Sequence, residues 1–189
     1  MVFNIHAGHG NPMGRGCGAV GLLDESFEAR RVKDELIRQL RYYGAVAYDC
    51  TFDGNASQNT ILNGIVKKCN SHAVDKDVSI HLNAGGGTGV EVYIYSEDMR
   101  KCAEITCDLI SRYLGIRNRG VKVNKSLYVL RKTAAPAMLV ECAFVDNEID
   151  RETLEMELKS GVPLNMCKQI QNFFHAYICL FEQVLLQEI

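Results

Sequence analysis

No apolar run in the chain approaches the roughly 20 residues that a helix needs to cross a bilayer, so membrane insertion is not expected. The start also lacks a basic segment followed by an apolar one, the pattern of a secretory signal, and the chain is expected to stay in the cytoplasm until something releases it. An excess of positive charge is missing too. With 21 Lys and Arg against 23 Asp and Glu, the formal net charge is −2. A nucleic-acid partner needs clustered cations to displace counterions from phosphates, and none is expected. Proline is scarce at 3 residues, and no Pro-, Ser- or Gly-rich linker, internal repeat or low-complexity tract divides the sequence. One globular domain remains, and 189 residues suffice to bury a continuous core.

The 8 cysteines do not make a disulfide framework in a chain without a secretory signal, and they read as reduced thiols. Cys69, Cys142 and Cys179 sit among apolar residues, where cysteine behaves as a small hydrophobe. Four residues separate Cys102 from Cys107, where a zinc knuckle has two, and no partner pair follows.

The apolar segments alternate with helical patterns. VFNI leads into a glycine-rich loop, a helix is expected from about Ser26 to Tyr43, AVAYD follows, a second helix covers about Gln58 to Ser71, and VSIHL comes next. That order predicts an α/β sheet with largely parallel strands. Beyond it lie VEVYIY, a helix from about Glu97 to Leu114, and the short apolar stretches SLYVL and AMLVECAF. The runs VSI and AMLV read as central strands covered on both faces. Loops leaving the ends of such strands are where sites form. From Pro163 onward the chain is strongly apolar with helical spacing, which suits either a core-packing helix or a surface that pairs two copies as a homodimer.

Five histidines can be weighed singly. His72 ends a helical pattern, where an imidazole is favourable near the last carbonyls, and His175 lies in the apolar C-terminal segment, so both read as structural. His6 and His9 follow the first strand, and His9 stands between Gly8 and Gly10. His81 marks the point where DVSIHLNAGGGTG passes from strand to glycine-rich loop. Two strand-end histidines in an α/β sheet can converge at one edge, and glycine removes side chains that would block a metal or substrate there.

A catalytic zinc site takes three protein ligands and keeps one position open, so a carboxylate is sought in LLDESFEARRVKDEL. Val32, Leu36 and Leu40 mark the buried stripe of this helix, and Glu25 and Glu28 both lie within reach of that face. Spacing slightly favours Glu25. The run Asp24-Glu25-Ser26 also reads as a helix cap, which gives Glu25 an ordinary role, while the ordinary role of Glu28 is a solvated face. Glu141, in APAMLVECAFVDNE, is a lone glutamate at the end of an apolar strand, costly there without a partner. It reads either as the partner of an arginine such as Arg119 or Arg131, or as the general base of a zinc hydrolase with a pKa raised by apolar surroundings.

The blocks IHAGHG, EARRV, SIHLNAG and PAMLVECAFVDN, in this order, resemble the zinc-dependent N-acetylmuramoyl-L-alanine amidases of the amidase-3 type, including endolysins of phages that infect Gram-positive bacteria. The resemblance runs over about residues 2 to 175, and four ordered blocks are more specific than any one of them. It implies a twisted, mostly parallel sheet with helices on both faces, and a catalytic domain over residues 1–175 with a helical extension over 176–189. It implies that one Zn2+ is held by His9, His81 and Glu28, the glutamate that opens EARRV, and that Glu141 is the catalytic glutamate. The implied reaction is hydrolysis of the amide between the lactyl group of N-acetylmuramic acid and L-alanine, with peptidoglycan as the partner. Asn83, Gly85 and Gly86 leave room for that substrate beside His81.

Two features depart from the family. His6 stands where relatives usually carry an acidic residue, and it is expected to support the site from behind the ligands. The separate wall-binding domain common in such endolysins is not seen after the C-terminal helical pattern. Two other readings stay open: a zinc peptidase cutting within the stem peptide, and a module that grips the wall without cleaving it.

Overall fold

In the computed structural model, which describes residues 1–159, the VFNI run continues for two residues into strand β1 (Val2–Ala7). The apolar C-terminal segment, with His175 and the expected pairing surface, lies outside the described residues. After β1 come α1 (Glu25–Tyr42), β2 (Val46–Asp49), α2 (Gln58–Cys69), β3 (Lys76–Asn83) and β4 (Val90–Ile94). A 3₁₀ turn at Glu97–Met99 leads into α3 (Arg100–Leu114), followed by β5 (Asn118–Val123), α4 (Tyr128–Lys132), β6 (Ala137–Phe144) and α5 (Glu148–Lys159).

The strands form one sheet in the order β2-β1-β3-β6-β4-β5. Neighbours are parallel except β4 and β6, so the expected mostly parallel α/β sheet is present and its β4–β5 edge runs in reverse. The polar stretch Asn118–Val123, for which apolar patterning predicts nothing, is the edge strand β5, and part of SLYVL is the short helix α4.

Successive strand residues point to opposite faces. Phe3, Ile5 and Ala7 of β1, Val78, Ile80 and Leu82 of β3, and Met138 and Val140 of β6 join Val32 and Leu40 of α1 and Ile110 of α3 in one apolar core. Truncating a fully buried member such as Ile5 to alanine would cost about 2–5 kcal/mol. The other face is covered by α2 and α4 through Ile61, Ile65, Val129 and Leu130. There the alternate positions Asn4, His6, Ser79, His81 and Glu91 are buried and polar. Strand β3 is thus buried on both faces as expected, but one of those faces is not apolar. Helices on both faces press the apolar groups together and leave the polar row to run along the sheet toward the site.

The described cysteines are free thiols. Cys102 and Cys107 belong to the core, where burial pushes each thiol up to about 11, and they form no metal knuckle. No helix among the described residues is long and apolar enough to cross a membrane.

Candidate metal centre and active site

Strands β1 and β3 are parallel neighbours, and the Gly8 amide continues their pairing by donating to the Ile80 carbonyl at 3.1 Å. His9 and His81 therefore leave the sheet at the same edge. Helix α1 starts at this edge as well. Asp24, not Glu25, is its cap, accepting from the Phe27 amide at 2.9 Å, and Glu25 is left to turn inward. Glu25 Oε1 lies 3.0 Å from His9 Nε2 and 2.9 Å from His81 Nδ1. Its Oε2 accepts from the Ala19 amide at 2.8 Å, which fixes the carboxylate from behind.

One donor atom from each of His9, Glu25 and His81 lies within 4.8 Å of the others, so the group could hold a metal ion. Two imidazoles and one carboxylate are the donor set of an open catalytic zinc site. The backbone around them is cleared by glycine. A Cβ on Gly8 would stand 1.7 Å from His81 Nε2, and one on Gly18, whose φ of +82° itself disfavours a side chain, would stand 2.5 Å from Glu25 Oε2. Arg30 donates to the His9 carbonyl at 3.1 Å, and the Ser26 hydroxyl donates to the Gly10 carbonyl at 2.9 Å, so the start of α1 pins the loop that carries His9.

Charge states suit a cation. Burial works against ionisation of Glu25, but hydrogen bonds and charge from His81 and His9 outweigh it and hold the carboxyl well below the usual range. Burial lowers His81 despite the pull of Glu25, which favours the neutral imidazole that a metal needs.

Glu28, the carboxylate that the family resemblance points to, is not in this group. Three residues along the helix it is displaced by about 4.5 Å and turned by about 60° from Glu25. Its Oε2 instead accepts from Arg31 Nη1 at 2.8 Å, and burial, which outweighs Arg31, raises its carboxyl. The EARRV block does serve the site, but through Arg30. His6 is outside the group as well. It is buried, burial and the nearby His81 push its imidazole down to about 3, and its Nδ1 lies 3.3 Å from the Ser79 hydroxyl.

Glu141 on β6 is the cross-strand partner of His81 on β3 and of Glu91 on β4, which sets the three side chains in a row on one face. Its Oε2 is buried with no hydrogen-bond partner among the described residues. Burial, then the charges of Glu25 and Glu91, push the carboxyl up to about 8. Neither arginine considered from the sequence pairs with it: Arg119 is bound to Glu91, and the Arg131 guanidinium stands over the Tyr128 ring.

Asn83 donates to Glu91 Oε1 at 2.8 Å, and the amides of Gly85 and Gly86 donate to Asp146 Oδ2 at 2.7 and 2.9 Å. His72 is structural: its amide donates to the Cys69 carbonyl at the end of α2 at 3.2 Å, while its ring stacks on Tyr48 at 4.0 Å between ring centroids and its Nδ1 lies 3.1 Å from Asn4 Oδ1. The residues that sequence reasoning passed over are Gly18, Arg30 and Glu91. Glycine density around Gly18 was a signal of sorts; a glutamate in VEVYIY carried none until the strand order placed β4 beside β6.

A family model described as N-acetylmuramoyl-L-alanine amidase matches residues 4–160. The N-acetylmuramoyl-L-alanine amidase CwlM of Bacillus licheniformis is 40% identical over 103 residues, covering 53% of this chain and 40% of that protein. The endolysin of Bacillus phage SPP1 is 32% identical over 163 residues, 81% of this chain and 58% of that one. Among solved structures, the catalytic domain of the CD27L endolysin targeting Clostridia Difficile has a TM-score of 0.76 at 25% identity, covering 90% of this chain and 94% of that chain. The chain spans less than half the length of several curated relatives, 40% of one protein and 45% of another, both from Clostridium perfringens.

Proposed function

Because the chain belongs to the N-acetylmuramoyl-L-alanine amidase family, we propose that its described domain hydrolyses the amide between N-acetylmuramic acid and L-alanine in peptidoglycan, as a zinc-dependent lytic enzyme of the endolysin kind. The observation that carries this reading is the convergence of His9, Glu25 and His81 beside Glu141. In this assignment Glu25 takes the ligand place that the family resemblance gave to Glu28. A zinc ion held by these three residues would supply Lewis acidity, polarising the scissile carbonyl and drawing the pKa of a water toward about 7.

Glu141 acts as the proton carrier. Its unpartnered Oε2 accepts the proton of the attacking water and passes it to the departing amine. Burial and the charges of Glu25 and Glu91 raise the proton affinity of this carboxylate, which suits a group that must take a proton from water. Gly8 and Gly18, without a Cβ, leave the room that the His81 ring and the Glu25 carboxylate occupy. Asn83, Gly85 and Gly86 form the wall of the substrate groove, with Glu91 holding the Asn83 amide and Asp146 the loop backbone, so the loop shapes the groove more than it clasps the substrate.

The same ligand set would serve any amide, so the bond cut is the test. Mass spectrometry of peptidoglycan digested by the purified protein should find free lactyl carboxylates paired with new L-alanine amino termini. Fragments with intact lactyl amides and cleaved stem peptides would replace the amidase with a peptidase, and unaltered wall would leave a binding module.

A further inference from the structure

We propose that Arg119 and Lys122, mounted on Glu91, form a subsite for a free carboxylate on the departing stem peptide, so that the enzyme favours stems whose acidic second residue is not amidated. This rests on the amidase reading and adds a substrate preference to it.

Glu91 is a saturated platform. Its Oε1 accepts from Asn83 Nδ2 at 2.8 Å and from the Tyr93 hydroxyl at 2.7 Å, and its Oε2 accepts from Arg119 Nε at 2.6 Å and from Lys122 Nζ at 2.5 Å. A carboxylate offers about four acceptor positions, so none is left for a substrate donor. The side chain of Glu91 is 2% exposed, whereas those of Arg119 and Lys122 are 27% and 42% exposed. One cation suffices to neutralise a buried carboxylate. The second, Lys122, is part-exposed and adds positive charge beside Glu91 and the neighbouring Glu141. The Arg119 guanidinium is held over the Phe144 ring, 4.9 Å from its centroid, so its orientation is set before any ligand arrives.

Position gives the polarity of the substrate. In the proposed reaction Glu141 protonates the departing amine, which places the peptide side of the cut bond toward Glu141 and the strands beyond it. Next to β6 comes β4 with Glu91, then β5 with Arg119 and Lys122. Both charged ends reach back to Glu91 Oε2, at 2.6 and 2.5 Å, and so stand over β4, one strand spacing of about 5 Å from Glu141, while an extended peptide advances about 3.3–3.6 Å per residue. The cations therefore lie within reach of the second stem residue. Where that residue is acidic its carboxyl is either free or amidated, and only the free acid carries the charge that these cations match.

The test is a pair of muramyl tripeptides that differ only in that group, acid or amide, with kcat/KM measured for each. Hydrogen bonds to a charged partner predict a preference for the acid of about tenfold or more, expressed mainly in KM. Lys122→Met should bring the ratio of the two rates close to one, Lys122→Arg should keep most of the preference, and Lys125→Met, which removes the exposed cation near Tyr95, should keep all of it. A structural role for Lys122, or a change in Glu141 alone, would slow both substrates alike and leave the ratio intact. Equal cleavage of acid and amide by the parent, or an unchanged ratio in Lys122→Met, would overturn the subsite and leave the amidase reading standing. Failure of the parent to cut either substrate would overturn both.

Discussion

Gly8 and His81 are in such close register that a single methyl group on Gly8 would stand 1.7 Å from His81 Nε2. The histidine ring occupies the volume where any other residue would place its side chain. Gly8→Ala should therefore turn the ring out of the site while the β1–β3 pairing survives. We expect zinc affinity to drop by about 10–100-fold, the range seen when groups supporting a ligand are altered. Competition with a chelator measures it, and an unchanged affinity would mean that the ring is not held by this contact.

Glu141 predicts a different signature, because it is assigned to proton transfer and not to metal binding. Glu141→Gln should keep its zinc and its fold but lose turnover by about 10²–10⁴-fold. Zinc content alongside release of new L-alanine amino termini makes the distinction. A variant that loses metal would move Glu141 into the ligand set.

Glu91 should show itself in the acid limb of stability. Burial opposes its ionisation, but Arg119, Lys122 and Tyr93 together bring the carboxyl down to about 2 from an ordinary value of 4.5. A carboxylate lowered in the folded state contributes stability that is present above pH 4.5 and is lost as pH falls toward 2. Glu91→Gln should be less stable than the parent at neutral pH, and the gap in urea midpoint should close over that window. A gap that stays constant down to pH 2 would contradict the pairing.

How far the sequence could be read depended on whether a signal was local. The strand-end glycines around His9 and the strand-to-loop change at His81 are local, and those two residues meet as expected. Choosing between Glu25 and Glu28 turned on the first residue of α1. With the helix starting at Ser26, Glu25 is a cap; with Asp24 capping and Glu25 as the first helical residue, the carboxylate turns into the site. A one-residue boundary is finer than periodicity resolves. The fold shows the same contrast. β1, α1 and β3 follow from apolar spacing, whereas β5 is a polar edge strand and Glu91 acquires meaning only because β4 inserts beside β6 out of chain order.

The ligand assignment is tested most directly by elemental analysis of zinc in the purified parent, Glu25→Ala and Glu28→Ala proteins. The parent and Glu28→Ala should each carry one zinc per chain and Glu25→Ala should carry little or none. A zinc-loaded Glu25→Ala protein beside a zinc-free Glu28→Ala protein would contradict the site described for His9, Glu25 and His81.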